Sequence, residues 1–274
     1  MADSSKLPQG FFGYHTASSE AAHSAGKVWW DRNGADYLDE HGDFLGDTDF
    51  CWCPEGLRES DAALLGPLDQ LASRRVLEIG AGAAQCSRWL AEHGVSVVAT
   101  DISSTMVAQA RLRNDRTGID FPLQEADARD LPFGDSSFDV VFTAYGALPF
   151  VSEHEQIHRE AARVLRSDGR WVFSVSHPIR WAFPDVPGEA GLTANRSYFD
   201  TTPYIETDDS GNVVYAEHHR TLGDQVRALR RAGFHLVDIV EPEWPSDHTR
   251  VWGGWSPLRG KMIPGTAIFV AEKI

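Results

Sequence analysis

A chain of 274 residues with 42% hydrophobic and 24% charged content is long enough to bury a substantial core and ordinary in composition for a globular protein. Its formal net charge of −15 argues against nucleic acid as a partner, because binding there requires Lys and Arg to neutralise phosphates, and no apolar run reaches membrane-spanning length. The charge and composition point instead to a neutral, apolar or cationic partner, with no nucleic acid and no membrane. The opening MADSSKLPQG lacks a charged segment followed by an apolar one, so no signal peptide is expected and the protein reads as cytoplasmic. Cys51, Cys53 and Cys86 are too few for a disulfide framework, and buried thiols are expected.

In chain order, residues 1–18 are small and polar, with Pro8, Gly10 and Gly13, and disorder is expected there. Residues 20–40 predict helices interrupted near Asn33-Gly34, residues 42–56 a loop, and Pro54-Glu55-Gly56-Leu57 the start of a helix to about Leu71. Residues 1–70 therefore read as a tail and helical cap, ahead of a core over 71–274. The core opens with a strand, a glycine turn and a helix. Val76, Leu77 and Ile79 are a short apolar run, Gly80 and Gly82 leave the backbone bare, and Ala83, Ala84, Ser87 and Leu90 begin a helical period. Bare backbone aimed into a helix N-terminus lets a polar ligand approach closely. Strands follow at 95–100, 121–125, 138–142 and 171–176. Ser103 or Ser104 caps a helix between the first two, and Ile157, Ala161, Val164 and Leu165 mark a helical face before the last. The turn Ser167-Asp168-Gly169 leads into that last strand.

Residues 178–220 break this rhythm with prolines, glycines and aromatics, and read as a substrate-side insertion in which Asp209-Ser210-Gly211-Asn212 closes a hairpin. Thr221 and Asp224 form a capping pair before a helix ended by Gly233. Strands at 235–240 and 266–271 finish the chain, with Trp244, Trp252 and Trp255 between them.

Alternating strands and helices predict an α/β, doubly wound, Rossmann-like sheet that binds ligands at the carboxyl ends of its strands. Gly80, Gly82, Asp101, Asp127, Tyr145 and His177 fall along that rim. Asp101 ends the second strand, where an acid accepts hydrogen bonds from both hydroxyls of a ribose. That spacing suits nicotinamide dinucleotides and S-adenosylmethionine alike. The dinucleotide fingerprint asks for a third small residue where this chain has Gln85, which counts against NAD.

Four motifs in order, VLEIGAG, VVATDIS, EADARDLPFGDSSFDVVF and REAARVLRSDGRWVFSV, make the chain resemble the class I S-adenosylmethionine-dependent methyltransferases over about residues 75–176. The resemblance implies a seven-stranded, mostly parallel sheet with an antiparallel last strand. It implies S-adenosyl-L-methionine as cofactor and S-adenosyl-L-homocysteine as product. Gly80, Ala81 and Gly82 would contact the methionine portion through backbone, and Glu78 would support its ammonium end. Asp101 would hold the ribose, Ile102 would lie under the adenine, and Asp127 with the Ala128 backbone would meet the adenine amino group. Ala144 and Tyr145 would face the sulfonium. Tyr37 and Trp52 are the contacts expected from a cap closing over the cofactor.

The resemblance further implies methyl transfer to a small organic acceptor by in-line displacement. Two other classes compete with that reading: a protein of the same fold that binds the cofactor without transfer, and an NAD-dependent oxidoreductase. His177 follows the fifth strand directly, and the unperturbed pKa of an imidazole lies near neutrality, so it is the candidate acid–base group, with His218 and His219 in reserve. His154-Glu155-Gln156-Ile157-His158 spells a zinc-protease pattern, but no third ligand stands out downstream. Helix-surface histidines and no metal site are the expectation.

Overall fold

The computed structural model describes residues 9–274. Its strands are β1 (Phe12–Tyr14), β2 (Arg75–Ile79), β3 (Ser96–Asp101), β4 (Leu123–Glu125), β5 (Phe138–Ala144), β6 (Leu165–Ser176), β7 (Tyr204–Thr207), β8 (Val213–Glu217), β9 (Phe234–Val240) and β10 (Thr266–Lys273). Its helices are α1 (Ser19–Leu45), α2 (Glu59–Ala62), α3 (Leu68–Leu71), α4 (Gln85–Glu92), α5 (Ser104–Thr117), α6 (His154–Val164), α7 (Leu222–Arg231) and α8 (Pro257–Gly260). Among the described residues no helix is long and apolar enough to cross a membrane.

Strand β2 is an inner strand, third in a seven-stranded sheet of order β4-β3-β2-β5-β6-β10-β9. Val76 lies opposite Val97 of β3 and Val140 of β5, both in parallel pairing. Both faces of the sheet are covered, which is why its strands read as near-continuous apolar runs. Leu77, Ile79 and Val141 pack on one face with Ile157 and Ala161 of α6 and Leu229 of α7. Val76, Val140 and Phe142 pack on the other with Cys86 and Leu90 of α4 and Ala110 of α5. Strand β10 runs antiparallel between β6 and β9, so the expected doubly wound sheet with its antiparallel last strand is the fold observed. The Thr221–Asp224 capping box and the hairpin turn at 209–212 also form where the sequence places them.

Four local expectations are corrected. Residues 9–18 are held in place: β1 pairs with β7 in a second sheet of order β1-β7-β8, while the expectation for residues 1–8 lies outside the described residues. Helix α1 runs unbroken past Asn33-Gly34 to Leu45, which also makes residues 42–45 helix and not loop. Gly34 is there for packing, since a Cβ at this position would overlap Met106 Sδ of α5. No single helix follows Pro54. Glu59 turns inward and accepts from Trp52 Nε1 at 2.8 Å and from the Leu64 and Leu65 N–H groups, so the segment folds around its carboxylate as α2 and α3. Finally, β6 begins at Leu165, and Ser167-Asp168-Gly169 lies within it. Asp168 has φ 59°, and the register against β5 shifts between Phe138 and Val140, as at a bulge.

Strand order reverses at β2, between β3 on one side and β5 on the other. The turns that leave β2 and β5 touch there through bare backbone. A Cβ on Gly80 would stand 2.9 Å from Ala147 N and 3.2 Å from Gly146 Cα, and a Cβ on Gly146 would overlap the Gly80 carbonyl oxygen. Gly146→Ala is therefore expected to destabilise the fold by roughly 1–3 kcal/mol in urea unfolding. Equal stability of variant and native protein would show that these turns are not held in contact.

Candidate active site at the carboxyl rim of the sheet

The turn after β2 uses positive φ three times, at Gly80 (66°), Gly82 (54°) and Ala84 (57°). This path points backbone N–H groups at the end of β3. The Gly82 N–H donates to Asp101 Oδ2 at 2.7 Å, and the Ser103 N–H donates to Asp101 Oδ1 at 2.8 Å. The carboxylate is thus fixed in orientation and only 8% exposed. Burial raises its pKa, against the pull of those N–H donors. Ser103 caps α5 as expected, accepting from Met106 N, and its hydroxyl donates to Asp31 Oδ1 of α1 at 2.6 Å.

Asp127, just past β4, accepts from the Arg129 N–H at 2.9 Å and from Arg129 Nη2 at 2.9 Å. Partial burial works to raise its pKa, but the Arg129 bonds and charge win and hold it below the usual carboxylate value. His23 Nε2 of α1 lies 3.3 Å from Asp127 Oδ2, and Lys27 of α1 pairs with Glu125. His23, Lys27 and Asp31, each four residues apart, therefore form one polar stripe that lays α1 along the ends of β3 and β4.

At the end of β5 the backbone is strained. Tyr145 has φ 60°, and Ala147 has φ 47° and ψ −66°. Leu148 N–H donates back to the Gly146 carbonyl at 2.7 Å, closing a three-residue turn of the rare, positive-φ kind. The Tyr145 N–H donates to Ser174 Oγ at 3.0 Å, and its phenol oxygen lies 2.8 Å from Thr266 Oγ1.

These parts line a cleft that is partly open to solvent. Tyr37, Gly80, Ala81, Gly82, Asp101, Ile102, Asp127, Ala128, Ala144 and Tyr145 all line it. The sequence reading did not single out His23, Lys27, Met106 or Phe150, which line it too, nor Trp30 as a wall of this cleft. Trp30 stands edge-on to Tyr37 at 5.3 Å and to Phe150 at 5.8 Å, which makes an aromatic wall facing the strand ends. The spacing 23, 27, 30 on one helical face was the available signal, hidden by the expected break in α1.

Glu78, Trp52 and His177 lie outside the cleft lining. Glu78 faces α4, accepting from the Ser87 N–H at 3.1 Å and from the Ser87 hydroxyl, so it braces the glycine turn from behind. The Trp52 indole is fully buried against Phe50 and Phe142, its N–H held by Glu59. His177 is buried at the end of β6. Its Nδ1 accepts from the Ile179 N–H at 3.1 Å, and its Nε2 lies 2.8 Å from Glu241 Oε1. Burial lowers its pKa against the pull of Glu241. The reserve histidines are turned elsewhere. His219 is bound to the Tyr198 carbonyl, and His218 faces a small separate cavity with His154 and Arg220. The helix-surface expectation fails for His158, which is fully buried and accepts from Trp171 Nε1, while the half-buried His154 accepts from Arg220 Nε.

Residues 77–173 match a family described as a methyltransferase domain. A demethylmenaquinone methyltransferase of Mycobacterium sp. (strain KMS) is 41% identical over 210 residues, covering 76% of this chain and 77% of the relative. An uncharacterised protein of Mycobacterium tuberculosis is 33% identical over 118 residues. That match covers 41% of this chain and 43% of the relative, less than half of its length. Among solved structures, an S-adenosylmethionine-dependent methyltransferase from Mesorhizobium loti superposes with a TM-score of 0.62 at 28% identity, covering 78% of this chain and 97% of that one.

Burial pushes the Glu78 carboxyl from 4.5 up to about 8, with Ser87 opposing. Between these values the native state holds a proton that the unfolded chain has released, so stability falls as pH rises through this window. Glu78→Gln, which keeps an acceptor for Ser87, is expected to flatten that fall in thermal unfolding measured from pH 4.5 to 8. A variant with the same slope as the native protein would contradict the assignment.

Proposed function

The chain belongs to the class I S-adenosylmethionine-dependent methyltransferase family, and from that premise we propose that it transfers a methyl group to a small, largely apolar organic acceptor by in-line displacement. The observation that carries the reading is the single cleft in which two rim carboxylates and a bare glycine turn face an aromatic wall. The name of the Mycobacterium relative, a demethylmenaquinone methyltransferase, supports a small-molecule acceptor.

The residues present fit S-adenosylmethionine. Asp101, clamped by two N–H groups, keeps free lone pairs for vicinal ribose hydroxyls. Asp127 offers an acceptor to the adenine amino group, with Ile102 and Ala128 as the apolar floor beside it. Gly80 and Gly82 present bare backbone to the cleft. A positively charged sulfur is favoured near the faces of Trp30, Tyr37 and Tyr145. The bound cofactor supplies a methyl carbon already activated by the sulfonium, so positioning and exclusion of water are the main tasks left to the protein.

Helix α1 does the excluding, as the working part of the 1–70 cap, and the 178–220 insertion backs it, with Tyr215 packed against Trp29 and Phe150. Phe150 and Trp30 hold the acceptor against the strained Tyr145–Ala147 turn. Trp52 and Glu78 support the site from behind. His177 stands beside the insertion's base and not against the acceptor.

Two measurements test this. Titration calorimetry is expected to show binding of S-adenosylmethionine and S-adenosylhomocysteine and none of NAD, and the reverse pattern would overturn the reading. Asp101→Ala is expected to weaken cofactor binding by roughly tenfold to a hundredfold, the loss of hydrogen bonds to a charged acceptor. Unchanged affinity would remove Asp101 from the site. A screen of small acceptors with methyl-labelled cofactor then identifies the substrate.

A further inference from the structure

Behind the cleft wall lies a further acid that the reading above does not use. Glu55 is 2% exposed, on the loop between α1 and α2. Its Oε2 accepts from Thr266 Oγ1 at 2.7 Å, and its Oε1 makes no hydrogen bond of good geometry among the described residues, with the Cys53 thiol and the Gly265 backbone beside the carboxyl. Thr266 opens β10, opposite Ser176 at the end of β6. Thr266 Oγ1 in turn lies 2.8 Å from the phenol oxygen of Tyr145, which lines the cleft. Gly265 makes room for the arrangement, since a Cβ there would overlap Glu55 Oε1. With the Thr266 hydroxyl donating to Glu55, Thr266 Oγ1 is free to accept from the Tyr145 hydroxyl, which also lies 3.5 Å from the Gly265 carbonyl. In that arrangement each donor points from the cleft toward Glu55.

Resting on the methyltransferase reading, we propose that Tyr145, Thr266 and Glu55 form a proton relay that takes the proton displaced from the methyl acceptor, with Glu55 as its final holder. In the step, a bond forms between the acceptor heteroatom or carbon and the methyl carbon, while the carbon–sulfur bond breaks and leaves its electron pair on sulfur. The acceptor's proton passes to Tyr145 Oη, the Tyr145 proton to Thr266 Oγ1, and the Thr266 proton to Glu55 Oε2. The relay ends with Glu55 neutral, and a positive sulfur and a negative carboxylate are discharged together. Tyr145 is the catalytic residue, and Glu55 and Thr266 act through it.

The surroundings suit this use. Burial raises the Glu55 carboxyl above its ordinary value, with the Thr266 bond opposing. The titratable groups facing it are Tyr145 and the buried Cys53 thiol, both themselves pushed up by burial and the nearby acid, and no cation pairs with it among the described residues. A carboxyl so placed responds strongly to one new positive charge in the cleft. A sulfonium there favours the ionised form, and the uncharged thioether product does not.

The test counts protons. Calorimetry in buffers of different ionisation enthalpy measures protons released when S-adenosylmethionine binds and when S-adenosylhomocysteine binds. The excess released by the sulfonium ligand is expected to fall in Glu55→Gln relative to native protein. The same excess in both proteins overturns the proposal. Thr266→Val, which keeps strand β10 intact, serves where Glu55→Gln does not fold, because it cuts the relay without removing the acid. With an acceptor from the screen, Tyr145→Phe and Thr266→Val are each expected to lower turnover by roughly a hundredfold, Thr266→Val at unchanged cofactor affinity. Native turnover in either variant overturns the relay. If neither ligand binds the native protein, the methyltransferase reading fails first and the relay with it.

Discussion

Two turns meeting backbone to backbone set the geometry of this protein. Strands β2 and β5 run parallel and adjacent, and the chain leaves them toward opposite faces of the sheet, to α4 from one and α6 from the other. The crevice opens where those paths part. Gly80 and Gly146 allow the turns to touch at its base, and no side chain fits between them. The positive φ values on both sides, at Gly80, Gly82 and Ala84 and at Tyr145 and Ala147, are the local consequence of that contact. Strain at Tyr145 and Ala147 is tolerated because β5, Ser174 and Leu148 fix the backbone around them.

The acids of this chain divide by what faces them. Asp101 and Asp127 border the cleft, and each is already held by backbone N–H groups, which fixes direction while leaving lone pairs for a ligand. Glu59 and Glu78 are buried and their acceptors are used inward, one closing the α2 segment and the other bracing the N-terminal turn of α4. Glu55 belongs to neither group. It has one oxygen bound to a hydroxyl and one without a well-formed hydrogen bond among the described residues, close behind a residue of the cleft. Orienting acids on the rim and an adaptable acid behind it are a sensible division for a site that binds a cation and releases a neutral product.

The parallel core was legible because its rules are local. Apolar runs of strand length, glycines at the turns and serine or threonine caps each announce an element, and Asp101 falls at the end of β3 by spacing alone. The rim residues of the glycine turn, of β3 and of β5 follow from that register. Outside the core, the same local signs misled. Gly34 looks like a helix breaker, yet α1 needs it bare for Met106, and the reading of a broken helix concealed the face that carries His23, Lys27 and Trp30. Trp52 and His177 sit at suggestive places in the chain, but their direction depends on Glu59, Glu241 and the loops around them, which are partners distant from or unmarked in the sequence. The Tyr145–Thr266–Glu55 chain joins three segments far apart in sequence, so no spacing could disclose it.

The central claim is that the cleft at the meeting of the β2 and β5 turns is where this chain holds S-adenosylmethionine. A crystal structure of the protein grown with S-adenosylhomocysteine tests it directly. The account expects the ribose hydroxyls on Asp101, the adenine between Ile102 and the Asp127 segment, and the sulfur beside Tyr145 beneath Trp30 and α1. Density for the ligand elsewhere, or in this cleft with the adenine at Tyr145 and the sulfur at Asp127, would contradict it.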